Sequence, residues 1–430
     1  MTAEATNRSR ARTRLPADQR RTQLLAQAAR LFMERGYAGV GIDEIGAAVG
    51  ISGPAVYRHV SGKEQLVTQI AAGWLALLAA RTRGAKAACA SSDTEAQFEA
   101  MLAAGLDVAS SHIAEVTVVL RYTEVARHSI APPPPGTPPD GGTDADADNG
   151  TDDVDAQACL DLWHDVSQSW APVVGELYPQ LSIEATADRI RLVTGLLLGA
   201  ASSEREIPQT TRVALLAQAT RRILETEFTL PAPAPTDGGA CTSTRWTRSS
   251  RREQILDTAV AMFRERGYGG VSMADIAEAV GVTPSASYRH FTSKEELLAT
   301  AVDRAGERLV LGLSTSLADA SDAQDAIDAL IRTYVWDALV NRDSTAVCVT
   351  ERYHLPDAEL ALARKRDRLM AEEWGHALAV TRPELSLAGR EMLVHAVHRM
   401  VVEAVRPLPR GGSVDVAPEL MRLCHAILDA

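Results

Sequence analysis

Arg20–Val67 reads RRTQLLAQAARLFMERGYAGVGIDEIGAAVGISGPAVYRHVSGKEQLV, and Arg251–Leu298 reads RREQILDTAVAMFRERGYGGVSMADIAEAVGVTPSASYRHFTSKEELL. The register shift is 231, and 23 of the 48 aligned positions are identical, well beyond coincidence within one chain. A block that recurs this closely marks a duplicated folding unit. In the second copy Ile255, Leu256, Ala259, Val260 and Phe263 repeat with the 3.6-residue period of an amphipathic helix, and Gly267 is placed to end it. Ser272 and Asp275 occupy the capping-box positions of a second helix, Met273–Val280, which turns Ile276 and Val280 inward and stops at Gly281. Val282 plugs the turn, Thr283 caps again, and a short third helix is expected to reach about His290. A short helix, a glycine turn and a second short helix form the helix-turn-helix layout, whose second helix suits the major groove of DNA.

The duplication extends beyond this block. Arg121-Tyr122 matches Arg352-Tyr353 at the same shift of 231, whereas Trp170 and Pro179-x-Leu181-Ser182 match Trp374 and Pro383-x-Leu385-Ser386 at a shift of 204. The difference, 27 residues, lies in the first copy, where a stretch opening APPPPGTPPDGG carries seven Asp residues from Asp140 to Asp155. Proline and aspartate without apolar partners cannot build a core, so residues 131–157 are expected to form a disordered insert. A Pro/Gly/Ser/Thr-rich linker, 229–250, separates the copies; at ~3.3 Å per residue it can reach about 70 Å. No alternating strand pattern of useful length occurs, and long Ala/Leu stretches with helical spacing dominate. The expectation is an all-α chain. A basic disordered arm (1–19) comes first. Head one (20–70) and a helical domain (71–228) follow, then the linker, head two (251–301) and a second helical domain (302–430).

Composition bounds the rest. In 430 residues apolar side chains make up 46% and aromatics 4%, so the cores must be built from Ala, Leu, Val and Ile. Cys89, Cys159, Cys241, Cys348 and Cys424 are odd in number and never paired as C-x-x-C, which argues against a disulfide framework or zinc module and for a reducing cytoplasm. No apolar h-region opens the sequence, and Leu192–Ala201 is too short to span a bilayer, so no membrane is expected as a partner. Net charge is −12, yet residues 1–63 carry ten Arg/Lys against five Asp/Glu and residues 245–294 carry eight against five. The heads therefore hold a surplus of +8 and the remainder −20, with cations gathered where a phosphate backbone would lie.

The run of Gly267, Tyr268, Ile276, Gly281, Val282, Thr283, Tyr288, Phe291, Lys294, Glu295 and Leu297 resembles the N-terminal domain of TetR/AcrR-type transcriptional repressors. Gly36, Tyr37, Ile45, Gly50, Ile51, Ser52, Tyr57, Lys63, Glu64 and Leu66 repeat the pattern in the first copy. The resemblance implies a cytoplasmic, sequence-specific DNA-binding regulator, expected to be a repressor, whose helical domains dimerise and hold a small effector. Ser52 and Thr283 would cap the recognition helices and offer phosphate a hydroxyl and a backbone N–H. Gly53, Pro54 and Ala55, with Pro284, Ser285 and Ala286, would meet base edges or the thymine methyl. Tyr57, His59, Tyr288 and His290 would contact phosphate, as would Lys63 and Lys294 at the start of the next helix. Arg58 and Arg289, the long side chains of the recognition helices, are the candidates for reading guanine.

Gly41 and Val60 depart from the family's preferred Ser/Thr and Phe, and Ser287 stands at a usually apolar position, so one head is expected to bind more weakly. The heads differ from each other as well, which predicts an imperfect inverted repeat as the double-stranded operator. Both heads lie on one chain, so an intramolecular pseudo-dimer is the simplest assembly, with a homodimer of chains as the alternative. Arg121, Tyr122, Trp163 and Trp170, with Trp336, Arg352, Tyr353 and Trp374, are the candidates for lining an effector site. An Arg beside an aromatic would suit an acyl-CoA or another lipophilic compound. Glu391, His395 and His398 share helical spacing that could touch a metal or simply form a solvated face; no metal, cofactor or catalytic residue is expected. Two rival readings are a ligand-binding protein with degenerate heads and an acyl-transfer enzyme, although no nucleophile–base motif is apparent.

Overall fold

The computed structural model describes residues 17–35, 37, 39–58, 60–118, 150–201, 203, 205–228, 250–406, 408 and 414–429. The N-terminal arm up to residue 16, the insert over 131–149, the linker over 229–249, His59, Arg121 and Tyr122 lie outside the described residues. Among those described, regular structure is entirely helical, so the chain is all-α. Copy one contains α1 (Ala17–Arg35), α2 (Ile42–Ala48), α3 (Gly53–Val56), α4 (Lys63–Ala87), α5 (Thr94–Ser111), α6 (Gly150–Leu177), α7 (Ile183–Ala201) and α8 (Gln209–Glu225). Copy two contains α9 (Arg251–Arg266), α10 (Met273–Val280), α11 (Pro284–Ser287), α12 (Lys294–Ala318), α13 (Ala323–Val340), α14 (Arg342–Thr350), α15 (Asp357–Thr381), α16 (Leu387–Val405) and α17 (Ala417–Leu428). Helix α12 repeats α4 at the shift of 231 read from the sequence, and α16 repeats α7 at 204, residue for residue.

Two boundaries differ from expectation. The first helix starts at Ala17 rather than residue 20, and α6 starts at Gly150, inside the stretch expected to be uncoiled through residue 157. Aspartates make a poor core but a good first helical turn, where they face the positive end of the backbone dipole.

Each head closes around matched residues. Leu24, Ala28 and Phe32 of α1, Ile45 of α2, Val56 of α3 and Leu66 of α4 are all fully buried. Ile255, Ala259, Phe263, Ile276 and Leu297 do the same in the second head, each 231 residues on. Glycines with positive φ, Gly50 at 72° and Gly281 at 73°, take the left-handed turn that ends α2 and α10 and aims the next helix outward.

The two helical domains share one core. Leu192, Leu196, Leu216 and Ile223 of copy one pack in the same buried cluster as Met392, Val397, Met400, Leu420 and Ile427 of copy two. At the centre of this seam α7 crosses α16 at backbone distance. A β-carbon added at Gly195 would stand 2.7 Å from Met400 Cα, and one at Gly199 would stand 2.6 Å from Ala396 Cα. Only glycine, spaced four residues apart on one helix face, permits this approach. At the shift of 204 the positions on α16 that correspond to Gly195 and Gly199 are Arg399 and Glu403. These pair with each other, Nη2 to Oε1 at 2.6 Å, with Glu403 almost wholly buried. The seam is thus pseudo-symmetric in path and unlike in content.

Gly199→Ala is expected to push the helices apart and cost ~1–3 kcal/mol of stability, the usual range for overpacking. Gly73→Ala on α4, with nothing within 4 Å of the added carbon, should gain roughly 0.5–1 kcal/mol from helix propensity. Thermal melts of the two variants should therefore move in opposite directions from the parent.

Candidate nucleic-acid interface and cavity

The second head shows how local sequence builds the reading surface. Ser272 Oγ accepts the Asp275 N–H at 3.2 Å, while Asp275 Oδ2 accepts the Ser272 N–H at 2.8 Å. The bonds from Ser272 hold the Asp275 carboxyl below the usual carboxylate range. The capping box read from the sequence is therefore complete. In the first head Gly41 has no hydroxyl, so only the reciprocal half survives, Gly41 N–H to Glu44 Oε2 at 3.0 Å. Glycine ranks only a few tenths of a kcal/mol below serine at this position, so the handicap is small.

The recognition helices are single turns. In copy two, α11 gives way after Ser287 to a tighter turn in which Arg289 N–H reaches Ala286 O at 3.3 Å and His290 N–H reaches Ser287 O at 3.0 Å. Tyr288, Arg289 and His290 thus follow the helix instead of lying within it. Tyr57 is 58% exposed and Tyr288 51%, and Arg58 and Arg289 are exposed beside them. Pro54, Pro284 and Ser285 are also exposed, and Ala55 and Ala286 are partly so. Gly53 is buried instead: a side chain there would collide with Asp43. Copy two has Ala274 and Pro284 at the corresponding positions, so an aspartate leaning on the recognition helix is peculiar to head one.

Three roles change. Ser52 and Thr283 occupy N-cap positions, but neither hydroxyl caps its helix. The Ser52 carbonyl takes the Ala55 and Val56 amides at 2.8 and 3.2 Å, and the Thr283 hydroxyl lies 3.1 Å from that of Ser285. Lys63 and Lys294 point inward rather than to an outer partner. Lys63 Nζ donates to the carbonyls of Tyr37 (2.8 Å) and Val40 (3.0 Å), and Lys294 Nζ to those of Tyr268 and Val271, both at 2.8 Å. Each ammonium also sits over its tyrosine ring, at 4.4 and 4.0 Å to the centroid. Burial holds both pKa values below the ordinary lysine range. Two of three N–H groups are consumed in pinning the turn after the first helix, leaving one for an outside partner. The anomalous Ser287 is fully buried and satisfied, its hydroxyl donating to Pro284 O at 2.7 Å. In place of Phe, Val60 is buried in head one, whereas Phe291 of head two lies under the Arg252 guanidinium, 4.3 Å from the ring centroid.

Head two is tied to its own helical domain by residues that sequence inspection missed. Tyr268 stacks on His354 at 4.7 Å, and its N–H donates to Glu351 Oε2 at 3.0 Å. At the shift of 231 copy one has Leu120 and Thr123 there, which offer neither a carboxylate nor a ring.

Next to Glu351 and His354, Arg352 lines a cavity of about 640 Å³ between the copies. Met33 and Glu34 from α1, Leu198 and Arg205 from copy one, and Val302, Leu309, Met370 and Ala371 from copy two contribute to its wall. Arg205 spans the seam to Glu391, Nε to both carboxylate oxygens at 2.8 and 2.7 Å. Of the candidate effector residues whose side chains are described, Arg352 is part of this lining. Trp374 is a core residue, Trp170 packs edge-on to Phe98 at 6.3 Å, and Trp336 is half exposed on the surface. For Trp163 and Tyr353 the backbone is described but not the side chain. Glu391 and His398 lie in the cavity wall, but no group of three metal-ligating side chains occurs among the described residues.

These features define an all-helical protein with two unlike helix-turn-helix heads on one fused core. The sequence profile of the bacterial regulatory proteins of the TetR family matches residues 24–70 and again residues 255–301. Each head thus carries the N-terminal domain of the TetR family, present twice as a tandem duplication. It is 34% identical over 97 residues to the transcriptional activator FasR of Mycolicibacterium smegmatis, covering 23% of this chain and 44% of that one. It is 30% identical over 108 residues to the transcriptional repressor KstR2 of Rhodococcus jostii, covering 25% of this chain and 53% of that one. The chain thus spans about half the length of these curated relatives. A solved TetR-family regulator from Bordetella parapertussis superposes with a TM-score of 0.39 at 22% identity, over 43% of this chain and 96% of that one.

His398 makes a pH prediction. Its ring is stacked on Tyr334 at 4.1 Å and edge-on to Trp374 at 4.8 Å. Burial, then the charge of His395, pushes its pKa down to about 3. The unfolded chain takes up this proton near the ordinary value of about 6.5 while the folded chain refuses it, so stability falls as pH drops through that window. Denaturant melts between about pH 7 and about pH 4 should show a loss of up to about 1.4 kcal/mol per pH unit from this residue. His398→Phe should flatten the dependence; an unchanged slope would discount the buried neutral ring.

Proposed function

We propose that the chain is a DNA-binding transcriptional regulator, acting as a repressor, that grips an imperfect inverted repeat with two unlike heads and responds to a small, largely apolar effector. The observation that carries the reading is the pair of exposed Tyr-Arg dipeptides, Tyr57-Arg58 and Tyr288-Arg289, each displayed immediately after a one-turn helix. Each head's core and its lysine are spent on holding that turn in place. The displayed groups are what a groove needs: a phenol for phosphate and a planar, permanently charged fork for guanine or phosphate. The +8 surplus over the two head regions, in a molecule of net −12, supports the same contact face.

An intramolecular pseudo-dimer is favoured over a dimer of chains by the content of the seam. The glycine face of α7 receives the backbone of α16 at Ala396 and Met400, whereas the positions of α16 that correspond to the glycines carry Arg399 and Glu403. Two glycine faces would leave a void, and two Arg–Glu faces would crowd charged side chains against one another. The covalent link adds an effective concentration in the millimolar range, without any loss of translational freedom on pairing. The effector reading rests on the cavity, whose wall includes the end of α1 from head one and Arg352, next to the two residues that hold Tyr268 of head two.

Footprinting on promoter DNA tests the reading. Arg58→Ala should erase protection of one half-site and Arg289→Ala the other, each weakening binding about ten- to a hundredfold at a guanine contact. Identical footprints from the two variants, or no shift of any promoter fragment from the neighbouring genes, would refute it. Sedimentation at nanomolar concentration should give the mass of one chain.

A further inference from the structure

We propose that Asp43 is a base-reading residue peculiar to head one: its carboxylate, lodged over Gly53 at the start of the recognition helix, accepts the N4 amine of a cytosine in the major groove. The matching corner of head two is apolar, so this position gives the chain a preferred direction on its operator. This deepens the DNA-binding reading above and rests on it, adding a specificity residue that lies outside the recognition helix.

The placement comes from the close packing of α2 on α3. A β-carbon built on Gly53 would fall on Asp43 Oδ1, 2.8 Å from Asp43 Cγ and 3.4 Å from Asp43 Cα, so the carboxyl group fills the space a side chain would take. Glycine at 53 is what lets an acidic side chain lie across the first turn of the recognition helix. Asp43 is exposed, and so is Pro54 next to Gly53. The neighbouring acid is already engaged: Glu44 accepts from the Gly41 N–H at 3.0 Å and from Arg35 at 2.9 Å. Asp43 makes no hydrogen bond or ion pair among the described residues.

A carboxylate has the wrong charge for a phosphate backbone, and residues 1–63 otherwise gather cations, ten against five acids. An unpaired acid on this face weakens binding to every sequence unless it lies over the groove floor, where a base can offer it a donor. Cytosine suits it best. Adenine also offers an amine, but its N7 acceptor stands beside that amine and repels the second carboxylate oxygen, whereas the edge of cytosine presents the N4 donor alone.

Head two replaces both members of the pair. At the shift of 231 Asp43 and Gly53 become Ala274 and Pro284, and both are exposed. A methyl group beside a pyrrolidine ring suits the C5-methyl of thymine and offers nothing to an amine. The half-sites are therefore expected to differ at the corresponding base pair, C·G under head one and T·A under head two. A chain bound the other way round would set the carboxylate against the O4 acceptor of thymine.

The test is selection of operators from a randomised duplex pool by the full chain, run in parallel with Asp43→Ala. The parent should enrich a cytosine at one position of one half-site, and Asp43→Ala should lose that enrichment while keeping the other selected positions. On the selected operator, replacing that cytosine by pyrimidin-2-one, which lacks the N4 amine, should weaken the parent about tenfold more than it weakens Asp43→Ala. Gly53→Ala, whose added methyl displaces the carboxyl, should behave as Asp43→Ala does. Ala274→Asp combined with Pro284→Gly should bring the cytosine preference to the second half-site. Should any variant misfold by circular dichroism, the remaining variants decide. Undiminished cytosine enrichment by a folded Asp43→Ala, an equal effect of the base analogue on both proteins, or a weakening spread evenly over all sequences would overturn the proposal, the last leaving Asp43 as a support of α2 only. A parent that selects operators without this asymmetry would refute the role of Asp43 and leave the regulator reading intact. A parent that selects no sequence would end both.

Discussion

The close crossing of α7 and α16 is the constraint on which the molecule depends. Gly195 and Gly199 remove two side chains from one face of α7 so that the backbone of α16 can lie against it. Everything around that crossing is then held at fixed separation: the leucines and methionines of the shared core, the Arg205–Glu391 bridge, and the cavity beside it. A helix pair at this distance gains dispersion contacts along its whole length and tolerates almost no sliding, because the backbone of α16 cannot yield as a flexible side chain would.

Duplication within one chain explains how such a seam can exist. In a symmetric dimer each face of the interface must complement itself, so a glycine on one helix is a glycine on the other. Here the two faces were free to diverge into a concave one and a bulky one. Arg399 and Glu403 stand where α7 has glycines, and the buried Glu403 is held by both Arg399 and Arg406 of its own copy. The same freedom reaches the heads. Head one gained Asp43 against Gly53, and head two gained Glu351 and His354 around Tyr268, so the heads differ in how they are held as well as in what they display.

How much of this was legible follows from where the constraints are local. The heads read cleanly because each of their features is a short-range demand: a 3.6-residue apolar period at Ile255, Ala259 and Phe263, a glycine where φ must be positive, and a serine three residues before an aspartate. The duplication was legible because it needs only self-comparison, and the shifts of 231 and 204 recur in the helix boundaries. The inward bonds of Lys63 and Lys294 were not legible, because spacing shows that a lysine begins the helix but not that its chain folds back onto the carbonyls of residues 23 and 26 positions earlier. The tryptophans misled for a related reason: aromatic character marks both cores and ligand sites, and only packing separates Trp374 in the core from Trp336 on the surface. The seam carried a signal that was available, since aligning α7 on α16 sets two glycines against an arginine and a glutamate. Its meaning depends on a contact between residues some 200 positions apart, which no periodicity encodes.

The location of the cavity follows from the same asymmetry. A pocket at a symmetric seam would appear twice or lie on the axis, and any effector would act on both halves alike. Here the space lies beside the α7–α16 crossing, walled mostly by copy two, with Arg205 and the end of α1 from copy one. Its occupant would touch Arg352, beside the residues that hold Tyr268 of one head, and the last turn of the first helix in the other. An apolar guest would act through its volume. Filling a space between elements that cannot slide leaves the attached heads as the parts able to move, and the stiffness of the glycine crossing is what would convert a small molecule's bulk into a change in their spacing.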